Sequence, residues 1–210
     1  MNYSTRHLNK TVKFIIIHYT GMKSFNDAFK KLSDLKSDVS CHYLISRKGF
    51  IFNLLSSNLK AWHAGKSEWK NLKSLNDHSI GIELENKGHE HGYVPFTKNQ
   101  YTSLNKLITS LTFRYFINSD NILGHSDISP NRKKDPGELF KWDQIRSTVK
   151  VSKLKNYSLD AMLVKYGFSQ NYITNYKNLC ILAVKRKLGY NCINNTISKS
   201  FIRDLKHFIK

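Results

Sequence analysis

Nine histidines are scattered through the 210 residues, and their surroundings sort them. His7, His78, His89, His91 and His207 lie in polar stretches, where an imidazole is ordinarily structural or solvent-facing rather than catalytic. His18 instead closes the apolar run Phe14–Ile17, and His125 directly follows the short stretch Asn121–Gly124. Both positions suit a polar ring emerging at the end of a buried strand. Asp135 comes ten residues after His125. Two neutral imidazoles and one carboxylate make a three-ligand zinc set with a fourth position open to water. The same residues also suit two core histidines and a salt-bridged aspartate, and spacing leaves both readings open. Three cysteines, Cys41, Cys180 and Cys192, form no CxxC pair and read as buried small hydrophobes rather than a metal or disulfide framework.

Positioning such groups requires strands and helices in a set order. Residues 12–17 read as a buried strand ending at His18, and Phe25, Ala28, Phe29, Leu32 and Leu35 recur at helical spacing over 25–36. Residues 42–46 and 50–55 flank Arg47-Lys48-Gly49 and predict an antiparallel hairpin. Residues 79–85 alternate, with Ile80, Ile82 and Leu84 on one side and Gly81, Glu83 and Glu85 on the other, so both glutamates share one surface. Thr97 and Gln100 form a capping box for a long helix through Leu111. Residues 121–124 read as one more strand, and 142–149 as a closing helix. The mixture predicts an α/β (α+β) layer domain over residues 1–150, a unit expected to fold by itself. Residues 151–210 change character: helical patterns at 159–166, 176–188 and 197–209 predict a small three-helix appendage.

Thirty-four basic residues against fifteen acidic ones give a net charge of +19, spread as 23 against 13 over residues 1–150 and 11 against 2 over 151–210. Such a chain suits polyanionic surroundings, whether wall polymer, anionic lipid or nucleic acid. No Arg-rich arm is present, so a solvated basic face is favoured over nucleic-acid binding. The longest apolar run is far short of the ~20 residues that cross a bilayer, and no apolar leader stretch opens the chain. The sequence as written is expected in the cytoplasm, or in the envelope if a leader was trimmed.

The surrounding words are more specific than the spacing. IIIHYTG (15–21), SCHYLISRKG (40–49), AWHAG (61–65), LNDHSIGIELENKG (75–88) and GHSDISPNRKKDPG (124–137) occur in that order. Together they resemble the zinc-dependent N-acetylmuramoyl-L-alanine amidases of type 2, related to peptidoglycan recognition proteins, and best the branch containing AmpD and AmiD. The resemblance covers about residues 12–146 and implies a mixed central sheet flanked by helices. It implies zinc held by His18, His125 and Asp135, with Glu83 as the catalytic glutamate and Lys133 assisting at the carbonyl oxygen. Order within the motif favours Glu83 over Glu85. His42 reads as a sheet-lining residue or a hydrogen-bond donor behind the site, His63 as a groove residue, Trp62 as a groove residue or a packed aromatic, and Arg132 as a partner for a substrate carboxylate or a solvent-facing charge.

The implied function is hydrolysis of the bond between N-acetylmuramic acid and L-alanine in peptidoglycan or its fragments, by a monomer. The family also contains recognition proteins that bind wall fragments without cutting them and lack a complete ligand set; Asp135 supplies the third ligand here. A basic nucleic-acid binder is the remaining alternative. Residues 151–210 resemble the three-helix peptidoglycan-binding tail of AmiD-like enzymes through LDAMLVKYGF (159–168) and KLGY (187–190), but carry Val184-Lys185 where that tail has a phenylalanine-glutamine pair. Wall binding and simple packing both remain open for this unit.

Overall fold

The computed structural model describes residues 2–6, 11–145, 157–192 and 196–209. Nine strands are present among them: β1 (Tyr3–Thr5), β2 (Phe14–Tyr19), β3 (Tyr43–Ile45), β4 (Ile51–Asn53), β5 (Leu59–Ala61), β6 (Glu68–Trp69), β7 (Leu72–Lys73), β8 (Ser79–Leu84) and β9 (Ile122–Gly124). The helices are α1 (Phe25–Ser33), α2 (Gly88–His91), α3 (Lys98–Tyr115), α4 (His125–Ile128), α5 (Leu159–Tyr166), α6 (Gln170–Lys187) and α7 (Lys199–Phe208).

Five strands form the central sheet in the order β4-β3-β8-β2-β9. Only the β3–β4 hairpin is antiparallel; β3, β8, β2 and β9 run parallel. This is the mixed sheet with flanking helices that the sequence predicts. Parallel strands are buried on both faces, and β2 shows why its run is continuously apolar. Ile15 and Ile17 pack with Ile80, Ile82 and Leu84 under Tyr101, Leu104, Ile108 and Leu111 of α3. Phe14 and Ile16 point the other way, into a cluster with Leu123, Ile128 and Trp69 that continues through Met162, Leu163, Tyr166 and Phe168 to Ile173 and Phe201. The C-terminal helices therefore share a core with the sheet. Strand alternation places His18 on the face of Phe14 and Ile16, and Glu83 on the face of Ser79 and Gly81.

Local signals explain most element boundaries. Ser24, Ser158, Ser169 and Ser198 cap α1, α5, α6 and α7 by accepting a backbone N–H with the side chain. Thr97 and Gln100 make the reciprocal capping box at α3. Two expectations shift. The helix α6 begins at Gln170 rather than 176, because Ser169 caps an earlier turn that joins across a kink at Tyr176. The closing helix over 142–149 is, within the described residues, a short 3-10 turn at Trp142–Gln144. Residues 146–149 and the expected domain boundary near 150 lie outside the described residues. Cys41 and Cys180 are buried and Cys192 is partly so, all as free thiols. No helix among the described residues is long and apolar enough to cross a membrane.

Candidate active site and metal centre

The parallel strands β2, β8 and β9 end together, and the crevice beyond the carboxyl ends of such strands is where open α/β sheets place their ligands. Register sets the contents of that edge. His18 lies opposite Glu83 across the β2–β8 pair, and Ile17 opposite Gly124, the residue before His125. A backbone hydrogen bond from Ser126 N to Asp135 O, 2.9 Å long, closes the loop that returns Asp135 to the same place. Gly124 permits this approach, since a Cβ there would stand 2.7 Å from Pro136 Cδ.

The three candidate ligands converge. His18 Nδ1 is 3.0 Å from His125 Nδ1 and 2.9 Å from Asp135 Oδ2, and His125 Nδ1 is 3.1 Å from the same oxygen. All three side chains are buried. What matters chemically is which of these atoms carries a proton, and the outer hydrogen bonds decide it. Ser79 Oγ donates its single proton to Leu75 O at 2.5 Å, so toward His63 Nε2, at 3.2 Å, it accepts. The His63 proton is then on Nε2, leaving Nδ1 to accept from His18 Nε2–H at 3.0 Å. His18 Nδ1 is left as a bare lone pair. At His125, Nε2 lies 3.1 Å from the carbonyl of Ala64. Arg132 Nη2 also stands 3.4 Å from this nitrogen, but its two protons go to the nearer Ala64 O at 2.9 Å and Lys66 O at 3.1 Å, so His125 Nε2 is the donor and its Nδ1 is also bare.

Two imidazole lone pairs and a carboxylate oxygen thus meet at about hydrogen-bond distance with no proton required by their other partners. That arrangement repels itself unless a cation lies among the three atoms. Donors sharing one tetrahedral zinc at ~2.0–2.1 Å stand roughly 3.3 Å apart, close to the spacing here. Outer hydrogen bonds that fix the tautomer of a ligating histidine are a usual accompaniment of zinc sites. His18, His125 and Asp135 fit a metal ion, and all their donor atoms lie within 4.8 Å of one another.

Electrostatics agree with a neutral His18 and an anionic Asp135. Burial, then the neighbouring His125, pushes the His18 imidazole down to about 4. Burial alone would raise Asp135, but the two imidazoles beside it, His125 first, hold it below the usual carboxylate range. Glu83 behaves oppositely. Burial, then the charge of Asp135, raises it to about 8, with Lys133 opposing. Its Oε2 is buried without a hydrogen-bond partner. A buried carboxylate oxygen left unpaired beside a donor set is costly in a resting site and suits one that meets water or substrate.

These groups open into a cleft of about 390 Å³ lined by His18, His63, Glu83, Arg132, Lys133 and Asp135, among others. Glu85 is absent from its lining. The strand ends at Leu84, and Glu85 Oε2 turns to accept Arg47 N–H at 2.7 Å. The two glutamates that alternate onto one surface in sequence are thereby separated. His42 is fully buried outside the cleft, donating Nε2–H to Leu59 O and accepting Gly81 N–H at Nδ1. Trp62, 40% exposed, also stands outside and donates its Nε1–H to Ser4 Oγ. His63 lines the cleft but commits both ring nitrogens to His18 and Ser79. Gly81 makes room for it, because any Cβ on that strand position would collide with the His63 ring. Sequence reasoning passed over Ser79, whose role depends on a contact sixteen residues away. It also gave His89 no part in the site; the structure puts His89 at the cleft, accepting Tyr19 O–H at Nδ1 and pairing with Glu138 through Nε2.

The sequence model of the N-acetylmuramoyl-L-alanine amidases matches residues 8–138, which contain every residue of this site. The chain belongs to that family. AmiD of Escherichia coli, an N-acetylmuramoyl-L-alanine amidase, is 39% identical over 146 residues, covering 64% of this chain and 52% of AmiD. AmpD of Haemophilus influenzae, a 1,6-anhydro-N-acetylmuramyl-L-alanine amidase, is 45% identical over 113 residues, 53% of this chain and 59% of that protein. The chain thus aligns with little more than half the length of these curated relatives. A solved complex of E. coli AmiD with anhydro-N-acetylmuramic acid-L-Ala-D-gamma-Glu-L-Lys superposes with a TM-score of 0.78 at 27% identity, covering 94% of this chain and 88% of that one. The family's fold extends, in that likeness, through the C-terminal helices.

Proposed function

We propose that this chain is a zinc amidase that hydrolyses the bond between N-acetylmuramic acid and L-alanine in peptidoglycan or anhydro-muropeptides, with its chemistry in residues 1–150. The observation that carries the reading is the convergence of donor atoms from His18, His125 and Asp135, with His18 paired in register across the β2–β8 strands from Glu83. His18, His125 and Asp135 would hold the metal. When bound there, zinc acidifies water and polarises an amide carbonyl.

The remaining work falls to the chain's own side chains. Glu83 takes a proton from the attacking water as the new C–O bond forms, and returns it to the nitrogen as the C–N bond breaks. Lys133 lines the same cleft and can steady the negative charge that develops on the carbonyl oxygen. Arg132, exposed beside the cleft but anchored through Nη2, offers its other nitrogens to a peptide carboxylate. The products are a free muramic carboxylate and a peptide beginning with L-alanine.

A complete donor set supports cleavage over binding alone. Mass spectrometry of anhydro and non-anhydro muropeptides incubated with the full chain tests this directly. Release of the peptide, abolished by chelation and restored by zinc, is the expected result. A zinc-loaded protein that binds these fragments and leaves them intact would make the chain a recognition module instead.

A further inference from the structure

We propose that the C-terminal helical unit braces the metal centre, with Tyr166 and Lys187 holding Asp127 and Asp127 holding the turn that presents His125. The proposal rests on the zinc reading above. Its starting point is the shortness of α4, which carries His125 on a single turn of four residues. One turn is far below the length at which a helix holds its own geometry. Its position must come from what it touches.

Asp127, two residues beyond His125, is only 1% exposed. Its Oδ2 accepts the N–H of Gly124 at 2.8 Å, fixing the backbone immediately before the ligand. Its other oxygen, Oδ1, accepts the hydroxyl proton of Tyr166 on α5 at 2.9 Å. Lys187 on α6 brings its ammonium to 3.8 Å from Oδ2 and donates to Ile122 O at 2.6 Å, while lying 3.2 Å above the centre of the Trp142 ring. Ile122 and Gly124 are the two ends of β9. The next residue of α4, Ile128, packs among Met162, Leu163 and Ile173 of the same helices.

The C-terminal unit therefore supplies both the polar and the apolar support of the ligand-bearing turn. A carboxylate buried this deeply is tolerated only when its oxygens are satisfied. Without α5 and α6 it would keep the Gly124 N–H alone. A unit present solely to tether the chain to a polymer needs an apolar seat, not a tyrosine hydroxyl and a lysine delivered beside the metal site. Tyr166 and Lys187 are thus positioning residues: they act on His125 through Asp127.

The experiment uses the full chain and reads zinc affinity by competition with a chromophoric chelator, alongside thermal unfolding of the metal-free protein. Tyr166→Phe removes one hydroxyl and leaves the ring in place. Outer partners of metal ligands typically contribute 10–100-fold to affinity, so zinc binding should weaken about tenfold. Lys187→Met should shift it in the same direction. Leu205→Ala opens a cavity under α7, a helix that contributes no group to Asp127 or to the packing of Ile128 named above; it should lower the melting temperature and leave zinc affinity close to wild type. Unchanged affinity in Tyr166→Phe, or an equal loss in Leu205→Ala, would overturn the brace while leaving the metal reading standing. A wild-type chain that takes up no stoichiometric zinc would overturn the metal reading itself, and the brace with it.

Discussion

The proton path from Ser79 through His63 to His18 makes a quantitative claim about the metal site. Replacing His63 by phenylalanine keeps a ring of similar size over Gly81 and removes the acceptor that holds His18 in its Nε2–H form. That N–H would then point at an apolar ring in a buried position, which costs about 1–3 kcal/mol. The alternative tautomer places the proton on Nδ1, 2.9 Å from Asp135 Oδ2, where it is well accepted. The ring should therefore switch, and zinc must displace that proton to bind. The penalty corresponds to roughly 5–150-fold in affinity, overlapping the usual effect of losing an outer partner. His63→Asn should recover much of it, because an amide oxygen can take the place of Nδ1. Competition titration gives the affinity, and long-range 1H–15N spectra of the metal-free protein report the His18 tautomer. If His63→Phe bound zinc as wild type does, or if His18 stayed in the Nε2–H form, the relay would be wrong.

The other expectations follow from the same geometry. His18→Ala, His125→Ala and Asp135→Ala should each lose stoichiometric zinc by elemental analysis together with activity, because three donors leave no redundancy; a variant that kept its zinc would remove that residue from the ligand set. Glu83→Gln should retain zinc while kcat falls by about 10²–10⁴-fold, whereas Glu85→Gln should stay near wild type because an amide oxygen still accepts Arg47 N–H. A large kcat loss in the second variant with none in the first would reverse the assignment. His42 tests acid stability: burial holds it down to about 4, below the ~6.5 of an unfolded histidine. Between those values the unfolded chain binds the proton and the folded one does not, so His42 costs stability progressively as pH falls from above 6.5 to 4, by about 3 kcal/mol in all. His42→Gln can keep both hydrogen bonds without titrating, so its unfolding midpoint in denaturant should fall less steeply over that window; parallel pH profiles for the two proteins would refute the assignment.

Much of this protein was legible in one dimension because the signals are local. The apolar run before His18, the capping box at Thr97 and Gln100, the hairpin about Arg47-Lys48-Gly49 and the glycine after Tyr166 each report a conformation set by a few neighbouring residues. The ordered family motifs added the ligand set and Glu83 as expectations. The short strands β1, β5, β6 and β7 escaped, since two or three residues carry no measurable alternation and exist only because a partner lies beside them. Glu83 and Glu85 are equivalent by alternation alone; a strand ending at Leu84 and the backbone N–H of Arg47 separate them. The tautomers of His18 and His125 belong to tertiary structure altogether, because Ser79, His63, Ala64 and Arg132 set them from distant points in the chain. So does the seat of the C-terminal helices, where periodicity shows that an apolar face exists and only the folded chain shows that it closes over Phe14, Leu123 and Ile128. Local hydrogen bonding and side-chain period fix which elements form; contacts between residues far apart in sequence decide which atoms meet, and in this site that decides where the protons are.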